Sequence, residues 1–303
     1  MGTPDFAVPS LEILLKNNYP IAAVVTAPDK PRGRGQQVSF TPVKEFAVKH
    51  SLSLFQPVSL HSVEFISALS SLRPDLFVIV AFQILPPQVF SIPAKGAFNL
   101  HASLLPKYRG AAPINWAIIN GEKESGVTTF FLREKVDTGN IILQARVAIP
   151  ELMTAGELHD TLSDVGAEIV LQTVRLIELG KVQPRQQDDS LSSPAPKIFK
   201  DGCRINWNTP AAAIHNFIRG LSPHPAAWTM HDGTMLKIYR SENSEFRIQN
   251  SVAGRIIVSG DNLYVAAGSG AISVQEIQQQ GKKKMSAEEF LRGYRFKDGD
   301  VLK

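Results

Sequence analysis

The sequence is organised around the stretch Gly96-Ala-Phe-Asn99-Leu-His101-Ala-Ser103-Leu-Leu-Pro106. In a β-strand alternate side chains share a face, so Asn99 and His101 project from the same side of the predicted strand at 97–100. Asp137 follows later, immediately before a Thr-Gly turn from which it can reach the imidazole. An amide, an imidazole and a carboxylate that meet at one point can stabilise a developing oxyanion and move a proton. The stretch therefore predicts a catalytic centre at the end of a strand.

Around this stretch, the first 180 residues alternate between strand-like and helix-like patterns. The clearest strand is the apolar run 75–81, which has the unbroken hydrophobicity of a parallel strand buried on both faces. The clearest helix is 154–179, whose apolar residues recur at spacings of three and four. Such alternation predicts an α/β domain with a Rossmann-like, mostly parallel sheet and helices on both faces.

Residues 181–200 differ in composition, because proline, glutamine, aspartate and serine replace the apolar periodicity. We interpret them as a linker between a domain at 1–180 and a second domain at 201–303. The second domain has one predicted helix and a series of short strands bounded by Gly, Asp or Asn. The helix is 211–220, and the strands are 227–230, 235–240, 251–258, 263–266 and 271–278. Short strands with tight turns over about 100 residues favour a small β-barrel of the OB type.

Composition and charge exclude several classes of protein. No uninterrupted apolar run approaches the roughly 20 residues that span a bilayer, so we expect no membrane segment. The single cysteine, Cys203, excludes an internal disulfide and a multi-cysteine zinc site, and it fits a reducing cytoplasm. The formal net charge is +4, and residues 201–303 hold 13 Lys and Arg against 10 Asp and Glu. This excess is a mild indication of a polyanionic partner.

Several motifs together resemble the methionyl-tRNA formyltransferase family, a branch of the folate-dependent formyltransferase superfamily. The resemblance covers the whole chain, including the linker and the C-terminal region. The motifs that carry it are Gly2-Thr3-Pro4-Asp5-Phe6, Asn99-Leu-His101-Ala-Ser103-Leu-Leu-Pro106, Arg109-Gly-Ala-Ala-Pro113 and Val136-Asp137-Thr-Gly139. The basic loop at 30–34 and the C-terminal barrel indicate the tRNA-specific branch.

The resemblance implies an enzyme that transfers the formyl group of 10-formyltetrahydrofolate to the α-amine of methionine on initiator tRNA. By their place in the motifs, Asn99, His101 and Asp137 match the catalytic trio of the family. The family's folate-binding segment corresponds to Ser103, Leu104, Leu105 and Pro106. The implied partners are initiator methionyl-tRNA and the folate donor. We expect a monomer, and we expect no metal because the trio lacks a spacing such as His-x-x-x-His.

Two groups of cations are candidates for contacts with tRNA phosphates. The first group, in the loop 27–37, is Lys30, Arg32 and Arg34. The second group is Lys282, Lys283 and Lys284. Arg34 falls where the family has a basic residue that senses the acceptor-stem end of the tRNA. Taken alone, such clusters are more often solvated surface loops. If they contact phosphates, the affinity for tRNA should depend strongly on salt concentration.

The reaction fits the residue types of the trio. As a neutral amine attacks the formyl carbon, negative charge grows on the formyl oxygen. The Asn99 amide and a protonated His101 can donate hydrogen bonds to this oxygen. Asp137 beside the imidazole stabilises its protonated form and, directly or through a water, can accept the proton of the attacking nitrogen. No residue needs to be acylated, so we expect direct transfer.

Other interpretations of the same residues remain open. Asp137-Thr-Gly is also an aspartic-protease signature, but that mechanism needs two such aspartates and the α/β pattern argues against it. Taken alone, His101 can cap a strand end and Asn99 can stabilise a turn. Glycinamide ribonucleotide and amino-sugar formyltransferases share the trio. The basic loop and the barrel argue against the first, so an amino-sugar N-formyltransferase is the stronger rival. An RNA-binding module is the alternative that is not an enzyme.

The start of the sequence departs from the family pattern. The family places an apolar strand inside the sheet directly before Gly2-Thr3-Pro4, whereas this sequence has only Met1 there. An interior gap would leave backbone N–H and C=O groups of the neighbouring strands without partners. Either the natural start lies upstream or the sheet tolerates a gap, and we expect the first.

Overall fold

The computed structural model describes residues 1–32, 37–244 and 252–303, which form two compact units. The first unit comprises Met1–Gly110, Ser125–Val147 and His159–Pro194. The second unit comprises Ala111–Glu124, Ala148–Leu158 and Ala195–Lys303. It therefore includes two short stretches that the sequence pattern grouped with the N-terminal domain. Among the described residues, every helix is too short or too polar to cross a bilayer.

Local sequence signals explain where several helices begin. The helices of the described residues are α1 (Val8–Lys16), α2 (Pro42–Lys49), α3 (Val63–Ser71), α4 (Pro87–Phe90), α5 (Pro113–Ile119), α6 (Ala155–Glu178), α7 (Ala211–Leu221) and α8 (Ala287–Gly293). Thr41 and Ser62 cap α2 and α3, because their hydroxyls accept hydrogen bonds from backbone N–H groups three residues later. Ser286 and Glu289 form a capping box at the start of α8. The predicted helix at 154–179 is confirmed as α6.

The strands up to residue 195 form both parallel and antiparallel pairs. They are β1 (Val24–Val25), β2 (Lys30–Arg32), β3 (Gln37–Ser39), β4 (Leu54–Phe55), β5 (Phe77–Val80), β6 (Ala97–His101), β7 (Arg109–Gly110), β8 (Glu124–Phe131), β9 (Ile141–Ala148) and β10 (Pro194–Ala195). Strand β1 pairs with β4 in parallel, and β5 pairs with β6 in parallel. Strand β8 is antiparallel to β6, and β9 lies beyond it at the edge. The predicted α/β architecture is confirmed.

Met1 and Gly2 occupy an interior position between β1 and β5. The amide of Gly2 donates a hydrogen bond to the carbonyl of Val25 at 3.0 Å, and the amide of Val80 donates to the carbonyl of Met1 at 2.9 Å. Gly2 also forms a parallel bridge with Val80. These bonds join the β1–β4 pair to the sheet that contains β5 and β6. The place where the family resemblance implies an interior strand is therefore partly filled by these two residues.

The two faces of β6 pack against different helices. Leu100 lies on one face and packs on Gly166 of α6, where an added Cβ would lie 2.7 Å from the leucine side chain. Ala97 lies on the other face, in an apolar cluster with side chains of α3 and α4. Asn99 and His101 share the face of Ala97, because alternate residues of a strand point the same way. Along this face of β6, the apolar Ala97 in the core is therefore followed by the polar side chains of Asn99 and His101.

The second unit contains an antiparallel sheet. Its strands are β11 (Ala227–His231), β12 (Thr234–Ser244), β13 (Ile256–Ser259), β14 (Asn262–Ala266), β15 (Ala271–Gln279) and β16 (Met285–Ser286). They are arranged in the order β11-β12-β15-β14-β13, with β16 beside β15. Apolar side chains of α7 and α8 pack into the core of this sheet. The predicted strands are confirmed as β11, β12, β14 and β15. The predicted strand 251–258 is confirmed only from Ile256, because residues 252–255 lie before β13 and Ser251 lies outside the described residues.

Residues 300–303 connect the two edge strands of this sheet. Met230 of β11 and Lys303 exchange backbone hydrogen bonds at 2.8 and 2.9 Å. On the opposite edge, the amide of Ile256 in β13 donates a hydrogen bond to the carbonyl of Asp300 at 2.9 Å. Joining the edges in this way satisfies backbone groups that an open sheet leaves unpaired. The assignment to the OB type stays a prediction.

His215 of α7 is a buried titratable group in the core of the second unit. It is 3% exposed, and Nε2 donates a hydrogen bond to the carbonyl of Glu151 while Nδ1 accepts one from the hydroxyl of Ser241, both at 3.2 Å. We assign the proton to Nε2 because a carbonyl oxygen only accepts. Burial lowers the pKa of His215 below its ordinary value. The unfolded chain therefore binds this proton more readily than the folded chain.

We predict that the His215 contribution to stability is present above the ordinary histidine pKa of about 6.5 and is lost as the pH falls below it. The midpoint of urea denaturation, measured from about pH 7 to about pH 5, should therefore fall more for the unaltered chain than for His215→Gln. Glutamine keeps a donor and an acceptor but does not titrate. Equal falls for the two proteins would contradict the prediction.

Candidate active site

Strand β6 presents Asn99 and His101 on one face at its carboxyl end. In the sheet register, Asn99 lies opposite Ile79 of β5 and Phe130 of β8, so apolar residues flank it on both sides. Asn99 is half-buried, and no described residue forms a hydrogen bond with its side chain. Its amide N–H groups are therefore available to a bound molecule.

The imidazole of His101 is held in one orientation. The residue is 6% exposed, and Nε2 lies 2.8 Å from the carbonyl oxygen of Tyr108. Because that oxygen only accepts hydrogen bonds, we assign a ring proton to Nε2. Nδ1 faces the carboxylate of Asp137, whose Oδ2 is 3.8 Å away. This separation is too long for a direct hydrogen bond but short enough for a charge interaction.

The carboxylate of Asp137 is fixed by a neighbouring loop. Its Oδ2 accepts a hydrogen bond from the N–H of Gly110 at 3.0 Å. The backbone φ is +56° at Asp137 and +61° at Tyr108. Residues other than glycine adopt this left-handed conformation at a cost, and such positions cluster at functional sites. The structure thus brings His101 and Asp137 together, and their catalytic role stays a prediction.

The predicted folate-binding segment is largely turned into the protein. The hydroxyl of Ser103 is buried and donates a hydrogen bond to the carbonyl of Lys107 at 2.7 Å. Leu105 is 3% exposed in a small apolar cluster. Leu104 and Pro106 are half-buried. These side chains shape the loop that follows β6, and a contact with folate stays a prediction for each of them.

An open cavity of about 560 Å³ lies beside the loop that carries Asp137. Its lining includes Pro87, Phe90, Leu132, Arg133, Lys135 and Thr138. The volume is in the usual range for sites that bind small organic ligands. The lining also includes Glu134, so its two cations leave a formal excess of one positive charge beside the apolar side chains, which suits an organic molecule that carries negative charge.

Two residues at this site were not among the predicted site residues. Arg109 lies in a motif that the sequence pattern singled out, whereas Gln187 lies in the predicted linker. Gln187 is 7% exposed, and its amide contacts both Arg109 and the turn that carries Asp137. The motif around Arg109 could have identified this residue as part of the site from the sequence. The polar composition of 181–200 offers no signal that separates Gln187 from its exposed neighbours.

The predicted N-terminal cations are only partly described. Lys30 is exposed at the start of β2, which pairs with β3 in antiparallel orientation. The side chain of Arg32 and the whole of Arg34 lie outside the described residues. A contact of this group with tRNA therefore stays a prediction.

The C-terminal cations lie in the turn between β15 and β16. Lys282 and Lys283 are exposed. Lys284 is also exposed, but its ammonium forms an ion pair with Glu276 at 2.8 Å. It lies 5.5 Å from the ring centroid of Tyr239 as well. Because the ion pair offsets part of its charge, Lys282 and Lys283 are the stronger candidates for binding phosphate.

Among the described residues, no group of three or more His, Cys, Asp or Glu side chains is arranged to hold a metal ion. The single cysteine, Cys203, is buried, and its thiol donates a hydrogen bond to the carbonyl of Phe199 at 3.2 Å. Burial raises the pKa of the Cys203 thiol, which keeps it protonated. The thiol is therefore a poor candidate for a nucleophile.

The chain matches two family models and many curated relatives. Residues 1–174 match the model described as formyl transferase, and residues 197–295 match the model of the formyl transferase C-terminal domain. A methionyl-tRNA formyltransferase of Caldanaerobacter subterraneus subsp. tengcongensis is 46% identical over 100% of this chain and 98% of its own. A protein of the same name from Chlorobium limicola is 50% identical over 98% of this chain and 96% of its own.

Solved structures share the fold at lower identity. WlaRD, a sugar 3N-formyl transferase crystallised with dTDP and 5-N-formyl-THF, has a TM-score of 0.68 and 23% identity over 93% of this chain and 97% of its own. An N-formyltransferase from Helicobacter canadensis, in complex with folinic acid and dTDP-3-aminofucose, has a TM-score of 0.67 and 23% identity over 94% and 97%. At this identity the likeness shows the fold alone.

Gly139 belongs to the turn that carries Asp137, and no larger residue fits there. A Cβ at Gly139 would lie 1.6 Å from the carbonyl oxygen of Phe131, so the backbone would have to move. We predict that Gly139→Ala lowers the free energy of unfolding by roughly 1–3 kcal/mol, which thermal denaturation measures. Gly202→Ala is the matched control, because a Cβ at Gly202 meets no atom within 4 Å. A melting temperature of Gly139→Ala equal to that of the unaltered chain would refute the prediction.

Proposed function

The chain belongs to the formyl transferase family, and from its full-length similarity to curated methionyl-tRNA formyltransferases we propose that it formylates methionyl-tRNA. The observation that carries the proposal is an identity of 44% to 50% that extends along essentially the whole chain. The formyl donor is 10-formyltetrahydrofolate, and the acceptor is the α-amine of methionine esterified to initiator tRNA. The reaction belongs to translation initiation.

The cavity beside the Asp137 loop supports a folate donor. Its apolar residues suit the ring system of a folate, and Arg133 and Lys135 suit the carboxylates of its glutamate tail. The solved relatives were crystallised with folate derivatives, which fits a donor of this class. In this arrangement the formyl group lies next to the loop that bears the catalytic carboxylate.

The trio then acts on the formyl group without covalent attachment to the protein. The amine of methionine attacks the formyl carbon, and the oxygen becomes negatively charged. The amide of Asn99 donates a hydrogen bond to this oxygen. Because Nε2 of His101 is used by Tyr108, Nδ1 is the ring atom left to face the reaction, and in the protonated ring it donates to the same oxygen.

Asp137 completes the proton transfers. Its carboxylate accepts the proton of the attacking nitrogen, directly or through a water. When the tetrahedral intermediate collapses, the bond between the formyl carbon and N10 of the folate breaks and N10 takes up a proton. The products are formylated methionyl-tRNA and tetrahydrofolate. At 3.8 Å no direct hydrogen bond joins Asp137 Oδ2 to His101 Nδ1, so both groups can hydrogen-bond with the substrate.

The C-terminal region, residues 201–303, supplies most of the tRNA-binding surface in this proposal. We assign catalysis to residues 1–180, connection to 181–200 and tRNA contacts to 201–303, together with Lys30, Arg32 and Arg34. The exposed lysines 282 and 283 support this division. A cytoplasmic monomer fits an enzyme that works on aminoacyl-tRNA, and both attributes are part of the proposal.

We predict that the purified chain formylates Met-tRNA with 10-formyltetrahydrofolate, and that His101→Ala lowers kcat by roughly 10²–10³-fold, because one donor to the oxyanion is lost. A single-turnover formylation assay measures both. His61→Ala is the matched control, because His61 is exposed in the same unit and its replacement should leave kcat unchanged.

The molecule that accepts the formyl group distinguishes the proposed function from the alternative functions. Transfer to an amino sugar nucleotide in place of Met-tRNA would replace the proposal by an amino-sugar N-formyltransferase. Full activity of His101→Ala in translation would support an RNA-binding module instead. A formyl-enzyme adduct trapped with donor alone would overturn direct transfer.

We predict that replacing Lys282 and Lys283 by alanine weakens tRNA binding and makes it less sensitive to salt. If each lysine contacts one phosphate, the slope of log K against log salt concentration should fall by roughly 1–2. Binding of labelled initiator tRNA at a series of salt concentrations measures this slope. The matched control replaces Lys95 and Lys181, two exposed lysines of the first unit. An unchanged slope in the Lys282 and Lys283 variant would remove these residues from the proposed surface.

A further inference from the structure

The segment 185–193, named the strap here, crosses the candidate active site. Most of the strap is exposed and polar, as the sequence pattern of a linker predicts. Gln187 is the exception, because its side chain is 7% exposed. A buried amide has two donors and an acceptor to satisfy, so its partners identify what it holds in place.

The donor side of Gln187 fixes the turn that carries Asp137. Nε2 donates hydrogen bonds to the carbonyl oxygens of Asp137 and Gly139, both at 2.8 Å. Asp137 has φ +56°, a left-handed conformation that residues other than glycine adopt less readily. Bonds to the carbonyls on both sides of the turn stabilise this conformation and limit the rotation of the aspartate backbone.

The acceptor side of Gln187 fixes the facing loop. Oε1 accepts hydrogen bonds from Nε and Nη2 of Arg109 at 3.2 and 2.7 Å. The next residue, Gly110, donates its N–H to Oδ2 of Asp137 at 3.0 Å. One amide therefore holds both the backbone of the aspartate and the loop that binds its carboxylate.

The far end of the strap acts on the same loop. The hydroxyl of Ser193 accepts a hydrogen bond from the N–H of Tyr108 at 2.9 Å, and its carbonyl accepts one from the N–H of Arg109 at 2.9 Å. Tyr108 is the second left-handed residue at the site, with φ +61°, and its carbonyl accepts from His101. The strap thus supports the backbone behind both members of the His101–Asp137 pair.

We propose that Gln187 is a positioning residue for formyl transfer, which holds the carboxylate of Asp137 in the orientation that faces His101. The proposal rests on the proposed function of the site. Gln187 reaches the reaction only through Asp137 and Arg109, so its loss affects the chemical step more than the binding of either substrate. A role limited to packing would instead change stability without a selective effect on kcat.

Three variants separate these roles. Gln187→Ala removes every hydrogen bond of the side chain, whereas Gln187→Glu keeps the acceptor for Arg109 and loses both donors to the turn. Gln186→Ala is the matched control, because Gln186 is the same residue type, adjacent and exposed. Each variant is assayed for kcat, for KM with Met-tRNA and with 10-formyltetrahydrofolate, and for its melting temperature.

We expect Gln187→Ala and Gln187→Glu to lower kcat by roughly 10²-fold, since a displacement of about 1 Å at a catalytic group costs that much. Both KM values should change by less than about threefold, because binding contacts are retained. Gln186→Ala should behave as the unaltered chain. Normal kcat in Gln187→Glu would show that the bonds to the turn are dispensable and would overturn the proposal.

A double-mutant cycle with Asp137→Asn tests whether Gln187 acts through the aspartate. In the Asp137→Asn background, Gln187→Ala should lower the residual kcat by less than about threefold, because the group that it positions is already lost. A further loss of roughly 10²-fold in that background would mean independent action and would overturn the proposal.

Amide hydrogen exchange gives a readout that does not depend on the reaction. Peptides that contain Gly110 and residues 137–140 should exchange faster in Gln187→Ala than in Gln186→Ala, while peptides of β5 keep their rates. If the unaltered chain transferred no formyl group, the proposed function would fail, and the exchange data would still decide whether Gln187 holds the turn. Unchanged exchange in both peptides would refute the positioning role.

Discussion

The short distance between the carboxylate of Asp137 and the imidazole of His101 is the constraint on which the site depends. The two groups come from segments 36 positions apart, and a backbone group forms a hydrogen bond with each of them. A loop carbonyl accepts from the imidazole, and the N–H of Gly110 donates to the carboxylate. Because the two loops carry residues in the left-handed conformation, the geometry persists only where further hydrogen bonds support it.

The sheet supplies a rigid base for this arrangement. Strand β6 lies between β5 and β8 and is buried by apolar packing on both faces, so the positions of Asn99 and His101 follow from the sheet itself. Close packing against α6 leaves little freedom for the strand, as the contact between Leu100 and Gly166 illustrates. A rigid strand end combined with loops held by hydrogen bonds is the arrangement that precise positioning of catalytic groups requires.

In the second unit, the backbone groups at the sheet edges find hydrogen-bond partners in a different way. Its antiparallel sheet leaves two edges, and residues 300–303 bond to both of them. The core also buries His215, whose ring is fully hydrogen-bonded and therefore tolerates burial in its neutral form. Charged side chains such as Lys282 and Lys283 remain at the surface, where they are available to a polyanion.

The sequence by itself determined the α/β pattern, the short strands of the second unit and the strand that presents Asn99 and His101. These follow from local periodicity, which a sequence displays directly. Only the tertiary structure decided that Ser103 turns inward and that Gln187 is buried among backbone carbonyls of the site. The hydrogen bond between Gln187 and Asp137 joins segments 50 positions apart. Such a bond depends on how the whole chain folds, and local periodicity carries no information about it.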